Sequence, residues 1–451
     1  MGQLEQGIYS ASPVWAQNLL ISVFGHYLFK KRYSGCYTAM LEQIRTAKNW
    51  SPEQRRAHQS EQLQAMAAHC RHHIPWYQKL FAEYGLHEND FTTPEDIKKL
   101  PVLDKHTLRK HQHEFRLPGA KPFMTQHTSG STGTPLSVAV DAETYKLAMA
   151  LLVDHEQSHG VPFGARRATF AGRMLQPSEK MTPPFWRMNR AENQLLFSSY
   201  HLSKTTFAWY RRKLEQFQPL ELIGYPSAIA DLAGHFLDSG LEPGFQPKLV
   251  VTNSETLLAP QREIIESVFR CPVMDYYGTA EYVIFAGQRA DQHYHPSPLL
   301  GITELLSRSG EPDDGMLTAT TLTNRTMPLL RYEIGDTATA VDDSQPRIGA
   351  PALASINGRK DDYIETSDGR RIGRVDHIFK GIEGVREAQV VQHQPGAITI
   401  RIVADDAGRL DTTALINNCR KRLGEDFQVT IEETGRIPRG ANGKFRSVIR
   451  C

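Results

Sequence analysis

The sequence predicts an α/β protein. A large domain of parallel sheets and helices carries a small barrel-like β subdomain, and a small α+β domain closes the chain. Three observations carry this expectation. Apolar strands and amphipathic helices alternate between Glu221 and Tyr277, the spacing tightens to strand-turn-strand from Gly301, and a last strand-helix-strand unit follows Ile398. Alternating elements imply a parallel sheet with helices on its faces, whereas tightly spaced strands imply a meander or small barrel.

Taken in order, residues 1–120 read as a helical covering segment of the large domain. Pro52 suits the first turn of a helix, and Gln54 to Ala68 contains no Gly or Pro to interrupt it. Val14 to Phe29 is the most apolar early stretch, but Gln17, Asn18, Gly25 and His26 interrupt it. An amphipathic helix packed on the body is expected there. A peripheral membrane contact aided by Lys30-Lys31-Arg32 is the alternative.

Residues 121–358 form the remainder of the large domain. Its strands Glu221–Gly224, Lys248–Thr252 and Cys271–Asp275 are separated by two helices. The first helix places Ile229, Leu232, Ala233, Phe236 and Leu237 at helical spacing, and the second does the same with Ile264, Ile265, Val268 and Phe269. Ligands of such sheets belong at the carboxyl ends of the strands. Gly301–Leu306, Met316–Leu322 and Leu329–Ile334 are the meander strands, with Asp313-Asp314-Gly315 as a turn. Residues 359–451 make the small domain, with alternating Ile398, Ile400 and Ile402, a helix over Thr412–Leu423 and a strand over Phe427–Ile431.

Composition excludes several classes. At 451 residues with a formal net charge of +2, the chain has room for two or three domains and no global field for nucleic acid. Five scattered cysteines without a CxxC pair argue against a disulfide framework and favour a reducing cytoplasm. His69, His72, His73 and Cys70 lie on one expected helix without a distant ligand pair, which does not make a metal site.

Chemistry concentrates in a few segments. His127-Thr-Ser-Gly-Ser-Thr-Gly-Thr-Pro135 packs hydroxyls and glycines into nine residues, a composition suited to polyphosphate oxygens. It is not a Walker A loop, because the required Lys is missing and a strand, Leu136–Val140, follows in place of a helix. A plain polar hairpin turn is the bland reading.

From this loop onward the chain resembles the adenylate-forming superfamily, and within it the phenylacetate–CoA ligase-like branch that includes capsule-biosynthesis proteins. The resemblance runs through five motifs in family order from Thr128 to Lys444, about the last three quarters of the chain. It implies that Thr128, Ser129, Gly130, Ser131, Thr132 and Gly133 hold the β and γ phosphates of ATP, although Thr134 stands where many members carry Lys. Asp275-Tyr-Tyr-Gly-Thr-Ala-Glu281 resembles the aromatic motif. It implies that Tyr276, Tyr277 and Gly278 line adenine, that Thr279 serves the reaction and that Glu281 binds magnesium. Asn253-Ser254-Glu255 ends an expected strand of the same sheet, where it can form another wall of the nucleotide pocket.

Arg331-Tyr-Glu-Ile-Gly-Asp336 resembles the segment whose Asp accepts hydrogen bonds from both ribose hydroxyls. Gly358-Arg-Lys-Asp-Asp362 resembles the hinge, with Arg359 on ribose or phosphates and Asp361 as swivel for a mobile C-terminal domain. Gly443-Lys444 resembles the closing lysine that meets the attacking carboxylate and the α-phosphate. The acid pocket is expected from Tyr225, Pro226, Ser227, His201 and Gly278, whose aromatic content suits an aryl or hydrophobic acid. Some relatives carry zinc after the aromatic motif; here Phe285–His295 keeps His293 and His295 but no Cys, so no zinc is expected.

The resemblance therefore implies an AMP-forming acid ligase using ATP, Mg²⁺ and coenzyme A. An amine or sugar acceptor is the first alternative, and a catalytically inactive nucleotide-binding protein the second. The partners are a small carboxylic acid and an acyl acceptor, with no nucleic acid, no stable membrane insertion, and room for a homodimer.

Overall fold

The structure is a computed structural model. It describes residues 9–127, 136–177, 179–308, 311–341, 346–359, 363–367, 371–372, 375–379, 382, 384–404, 410–424, 427–440 and 443–451. The chain divides into two compact units, each discontinuous in sequence. The first joins Met1–Ser22, Gly164–Val273 and Gly358–Cys451, and the second joins Val23–Phe163 and Met274–Asn357.

In the first unit, a sheet runs in the order Trp186–Asn189, Gln194–Ser198, Arg167–Ala171, Glu221–Gly224, Leu249–Asn253. Every neighbouring pair is parallel except the first. Glu221–Gly224 is buried at every position and Leu249–Thr252 likewise, as strands covered on both faces are, whereas Arg167–Ala171 alternates buried and half-buried positions. Helices Pro226–Ser239 and Ala259–Phe269 follow the last two strands, each with proline in its first turn, where the missing N–H costs nothing. Phe170, Phe197, Tyr210, Leu222, Ile229 and Phe236 fill the core beneath, with Phe170 stacked on Phe197 at 4.9 Å between ring centroids.

The same unit holds a second small core. A four-stranded sheet, ordered Gln428–Glu433, Ala397–Ala404, Val385–Gln394, Val448–Arg450, packs against helix Thr412–Leu423, which Asp411 caps. Ile398, Ile400 and Ile402 are all buried there with Leu415 and Cys419, as the alternation predicts.

The second unit is built on an antiparallel meander of Gly301–Arg308, Glu311–Thr321 and Tyr332–Ala340. Strands Met124–His127 and Ser137–Val140 pair antiparallel and flank the segment 128–135, which lies outside the described residues. Helix Pro52–His73 begins as its sequence predicts. Ser51 Oγ accepts the Gln54 amide, and the Gln54 side chain accepts the Ser51 amide at 2.8 Å. Cys70 is fully buried in this unit's core, while His72 lies 3.9 Å from Glu88.

Three expectations need correction. Asp313-Asp314-Gly315 is strand, not turn: Gly315 pairs with Ser307 on one side and Ala338 on the other. A Cβ at Gly315 would lie 2.5 Å from Leu305 and 2.8 Å from the Leu306 carbonyl, so close strand approach explains this glycine. The third strand starts at Tyr332 rather than Leu329, because Arg331 turns the chain with φ of 47° and forks onto Glu304 with two 3.0 Å contacts. Finally, helix Val14–Tyr33 forms, but six of its large apolar side chains, from Trp15 to Tyr27, point outward.

Candidate active site

In the first unit the parallel strands end side by side, and the chain turns at each end. Gly172 follows Ala171, Tyr225 follows Gly224, and Ser254-Glu255 follows Asn253. Carboxyl ends of parallel strands are where an open α/β sheet presents its ligand residues. Ser254 adopts φ of 69°, a left-handed conformation uncommon outside glycine, while its hydroxyl donates to Asn253 Oδ1 at 2.8 Å.

Onto these strand ends the unit's C-terminal segment brings Lys444. Its Nζ stands 5.9 Å from the centroid of the Tyr225 ring. Glu255 fixes the neighbouring backbone: the Phe445 amide donates to Glu255 Oε1 at 2.6 Å, and the Ser227 amide donates to Oε2 at 3.3 Å. Burial pushes the Glu255 carboxyl above the ordinary carboxylate range, while the Phe445 amide pulls it back. One carboxylate thus ties the helix after Tyr225 to a backbone amide 190 positions along the chain from it.

The loop before Lys444 is tightly made. The Gly440 amide donates to the Lys444 carbonyl at 2.9 Å, and the Gly443 amide donates to the Gly440 carbonyl at 2.8 Å. Gly443 has φ of 74°, and a Cβ there would sit 2.5 Å from Gly172 Cα and 2.9 Å from the Tyr200 hydroxyl. Only glycine lets this loop approach so closely. Tyr200 donates to the Gly172 carbonyl at 3.2 Å, and Arg436 donates to the Tyr200 carbonyl at 3.2 Å. Arg439 pairs with Glu387 at 2.6 Å, both largely buried, and stands 5.1 Å from the Phe445 ring centroid.

Pro226 and Ser227 are buried in the first turn of their helix, beside Tyr225. His201 sits differently from its neighbours. Its ring is fully buried, Nδ1 bonds Ser198 Oγ at 2.7 Å, and Nε2 bonds the Pro177 carbonyl at 3.0 Å. Both nitrogens are therefore used inside the fold.

The second unit holds a separate polar cluster. Tyr277 donates to Asp336 Oδ2 at 2.6 Å, which links the aromatic motif to the Gly-Asp motif. Tyr276 turns the other way and stacks on Phe285 at 5.3 Å. Glu281 is buried; Tyr332 donates to its Oε1 at 3.0 Å, and Lys105 Nζ lies 3.5 Å away. The Thr279 hydroxyl is buried without a hydrogen-bond partner among the described residues, and Gly278 is exposed. An orphaned hydroxyl two residues from a fixed carboxylate suits a polar ligand. One carboxylate with a nearby hydroxyl also suits magnesium, which is usually held by one or two carboxylates together with substrate phosphates. Among the described residues no group of three His, Cys, Asp or Glu side chains is arranged for a metal.

Sequence reasoning misses several participants. Tyr332 lies inside a motif already singled out, so its role is within reach, whereas Lys105 belongs to no motif. Arg439 lies in the segment Ile437–Arg446 that carries Lys444, and Tyr200 lies in Phe197–His201, a stretch expected to line the acid pocket, whereas Glu387 has no sequence signal tying it to Lys444. Thr128, Ser129, Gly130, Ser131, Thr132, Gly133 and Asp361 lie outside the described residues, and of Arg359 only the backbone, at the end of strand Leu353–Arg359, is described.

Residues 364–451 match the CapK C-terminal domain family. The whole chain is similar to Protein CapK of Staphylococcus aureus, 26% identical over 98% of each chain. It is also similar to a phenylacetate-coenzyme A ligase of Thermus thermophilus, 24% identical over 88% of this chain and 96% of that protein. Among solved structures, 2-hydroxyisobutyryl-CoA ligase in the postadenylation state shares the fold. Its TM-score is 0.66 at 19% identity, over 89% of this chain and 94% of that one.

Proposed function

We propose that the chain, which is similar to CapK and to phenylacetate–coenzyme A ligases, is an adenylate-forming ligase that activates a carboxylic acid with ATP and passes the acyl group to coenzyme A. A carboxylate oxygen attacks the α-phosphorus of ATP, the bond to the bridging oxygen breaks, and pyrophosphate leaves. The CoA sulfur, its proton lost to solvent, then attacks the acyl carbon and AMP departs.

The observation that carries the reading is the convergence of Lys444, Tyr225 and Glu255 at the strand ends of the first unit. In-line phosphoryl chemistry asks a protein mainly to position reactants and neutralise spreading charge. Lys444 supplies a cation for that purpose, and Glu255 holds the backbone beside it. In the second unit, Asp336, oriented by Tyr277, accepts from the ribose hydroxyls. Thr279 donates its hydroxyl, which has no partner among the described residues, to a nucleotide or acyl oxygen. Glu281, with Tyr332 and Lys105 fixing its carboxylate, would hold magnesium, and that ion when bound supplies positive charge at the phosphates.

The acid is aryl or otherwise hydrophobic in this reading, since Tyr200 and Tyr225 flank the Lys444 loop. The small domain of residues 359–451 has its own sheet and core, which supports a swing about Asp361 between the two half-reactions.

ATP–pyrophosphate exchange over a panel of aryl and aliphatic acids tests the first step. Adding CoA, amines or sugars to the active wells tests the second. A failure of every acid in the panel to support exchange would sink the proposal, and adenylate consumed by an amine or sugar in preference to CoA would replace the acceptor.

A further inference from the structure

Helix Val14–Tyr33 carries large apolar side chains on its exposed face. Three of its polar side chains face the protein: Gln17 donates to the Tyr9 carbonyl at 2.9 Å and accepts from Arg187, Asn18 Oδ1 accepts the Met188 amide at 2.9 Å, and Ser22 Oγ donates to the Met188 carbonyl at 3.2 Å. Six large apolar side chains face water. Trp15 is 71% exposed, Val23 63%, Leu19 57%, Phe24 and Tyr27 52%, and Leu20 46%. These positions fall at helical spacing along a single stripe, about 18 Å from Trp15 to Tyr27 at 1.5 Å per residue. A water-soluble surface helix has the opposite arrangement, and a contiguous exposed apolar stripe marks an interaction site.

Charge and residue type identify the occupant. The twenty residues contain no Asp or Glu, and three cations, Lys30, Lys31 and Arg32, sit at the carboxyl end. Lys31 donates to the Phe123 carbonyl and Arg32 to the Tyr145 hydroxyl, whereas Lys30 is exposed and its spacing places it on the apolar face beside His26. Trp15 and Tyr27 bracket the aliphatic and Phe centre, and such amphipathic rings favour the boundary between headgroups and acyl chains. No helix among the described residues is long and apolar enough to cross a membrane. We propose that this helix lies flat on an anionic lipid surface, its Trp15-to-Tyr27 stripe seated among the acyl chains and Lys30 against the phosphates. The proposal is independent of the ligase reading.

Flotation of the full chain with vesicles of equal parts phosphatidylglycerol and phosphatidylcholine tests it, with pure phosphatidylcholine vesicles alongside. Binding to the anionic vesicles, weakened by added salt, is expected. The double substitution Val23→Glu/Phe24→Glu should lower partitioning at least about tenfold, since each charge must be taken from water or the stripe lifted. Trp15→Gln should lower it less, and Lys30→Glu should act only on anionic vesicles. Each variant is checked for an unchanged far-ultraviolet spectrum and melting temperature. No binding by the unmodified chain, equal binding to neutral vesicles, or full binding by the folded double variant would overturn the proposal. So would a dimer in sedimentation velocity that the same double variant dissociates, because the stripe would then belong to a second copy.

Discussion

The Glu255 carboxylate accepts the amide of Phe445 at 2.6 Å, so a side chain just past the end of strand Leu249–Asn253 holds the backbone that presents Lys444. Hydrogen bonds to a charged acceptor contribute about 1.5–3 kcal/mol. Glu255→Ala should therefore slow acid-dependent ATP–pyrophosphate exchange by roughly ten- to a hundredfold. Acyl transfer from preformed adenylate should change little, and Glu255→Gln, which keeps an acceptor oxygen, should recover part of the loss. Equal damage to both half-reactions would count against a positioning role.

Lys444 carries the heavier expectation. Removing one preorganised donor from a site of developing charge typically costs about 10²–10³-fold. Exchange by Lys444→Ala should fall by at least that factor while the protein's melting temperature stays put, and normal exchange would refute the assignment.

Gly443 offers a steric test of the same loop. A methyl group there meets Gly172 Cα at 2.5 Å in a backbone with φ of 74°. Left-handed geometry costs a residue with a Cβ roughly 1–2 kcal/mol before the clash is counted. Gly443→Ala should displace Lys444 and reduce exchange about tenfold or more, without lowering affinity for ATP in equilibrium binding.

Asp361 separates the two half-reactions. If the small domain swings there, Asp361→Pro should keep pyrophosphate exchange and lose thioester formation, because a fixed φ blocks rotation rather than chemistry. Simultaneous loss of both activities would remove the swivel.

His155 sets an acid limit on stability. Burial, with smaller contributions from His159 and Lys48, brings its imidazole down to about 3 from an ordinary 6.5. The unfolded chain then takes up a proton that the folded one refuses. Stability is complete above pH 6.5 and falls at up to about 1.4 kcal/mol per pH unit below it, toward pH 3. Urea unfolding from about pH 7.5 to 5 should show this slope, and His155→Gln should flatten it.

Local chemistry made much of this protein legible from sequence. Residue period distinguished the strands from the helices, and Pro52 marked an early helix turn. The alternation of Ile398, Ile400 and Ile402 pointed to the small-domain core, where all three are buried on one face of their strand.

The site was legible only as a set of residues. Tyr277, Glu281, Asp336 and Lys444 stand in motifs whose resemblance to the adenylate-forming family implies phosphate and ribose chemistry, but a linear sequence carries no distances. Tertiary structure alone decided that Glu255 takes the Phe445 amide, that Tyr332 and Lys105 fix Glu281, and that His201 is spent on the core. It also decided that the first long helix turns its Trp15-to-Tyr27 stripe outward, while Gln17, Asn18 and Ser22 found partners on the protein. Periodicity reports which residues share a face, since that follows from backbone geometry within one element. Which way a face points, and which distant group meets it, depends on contacts between elements that the chain makes only once folded.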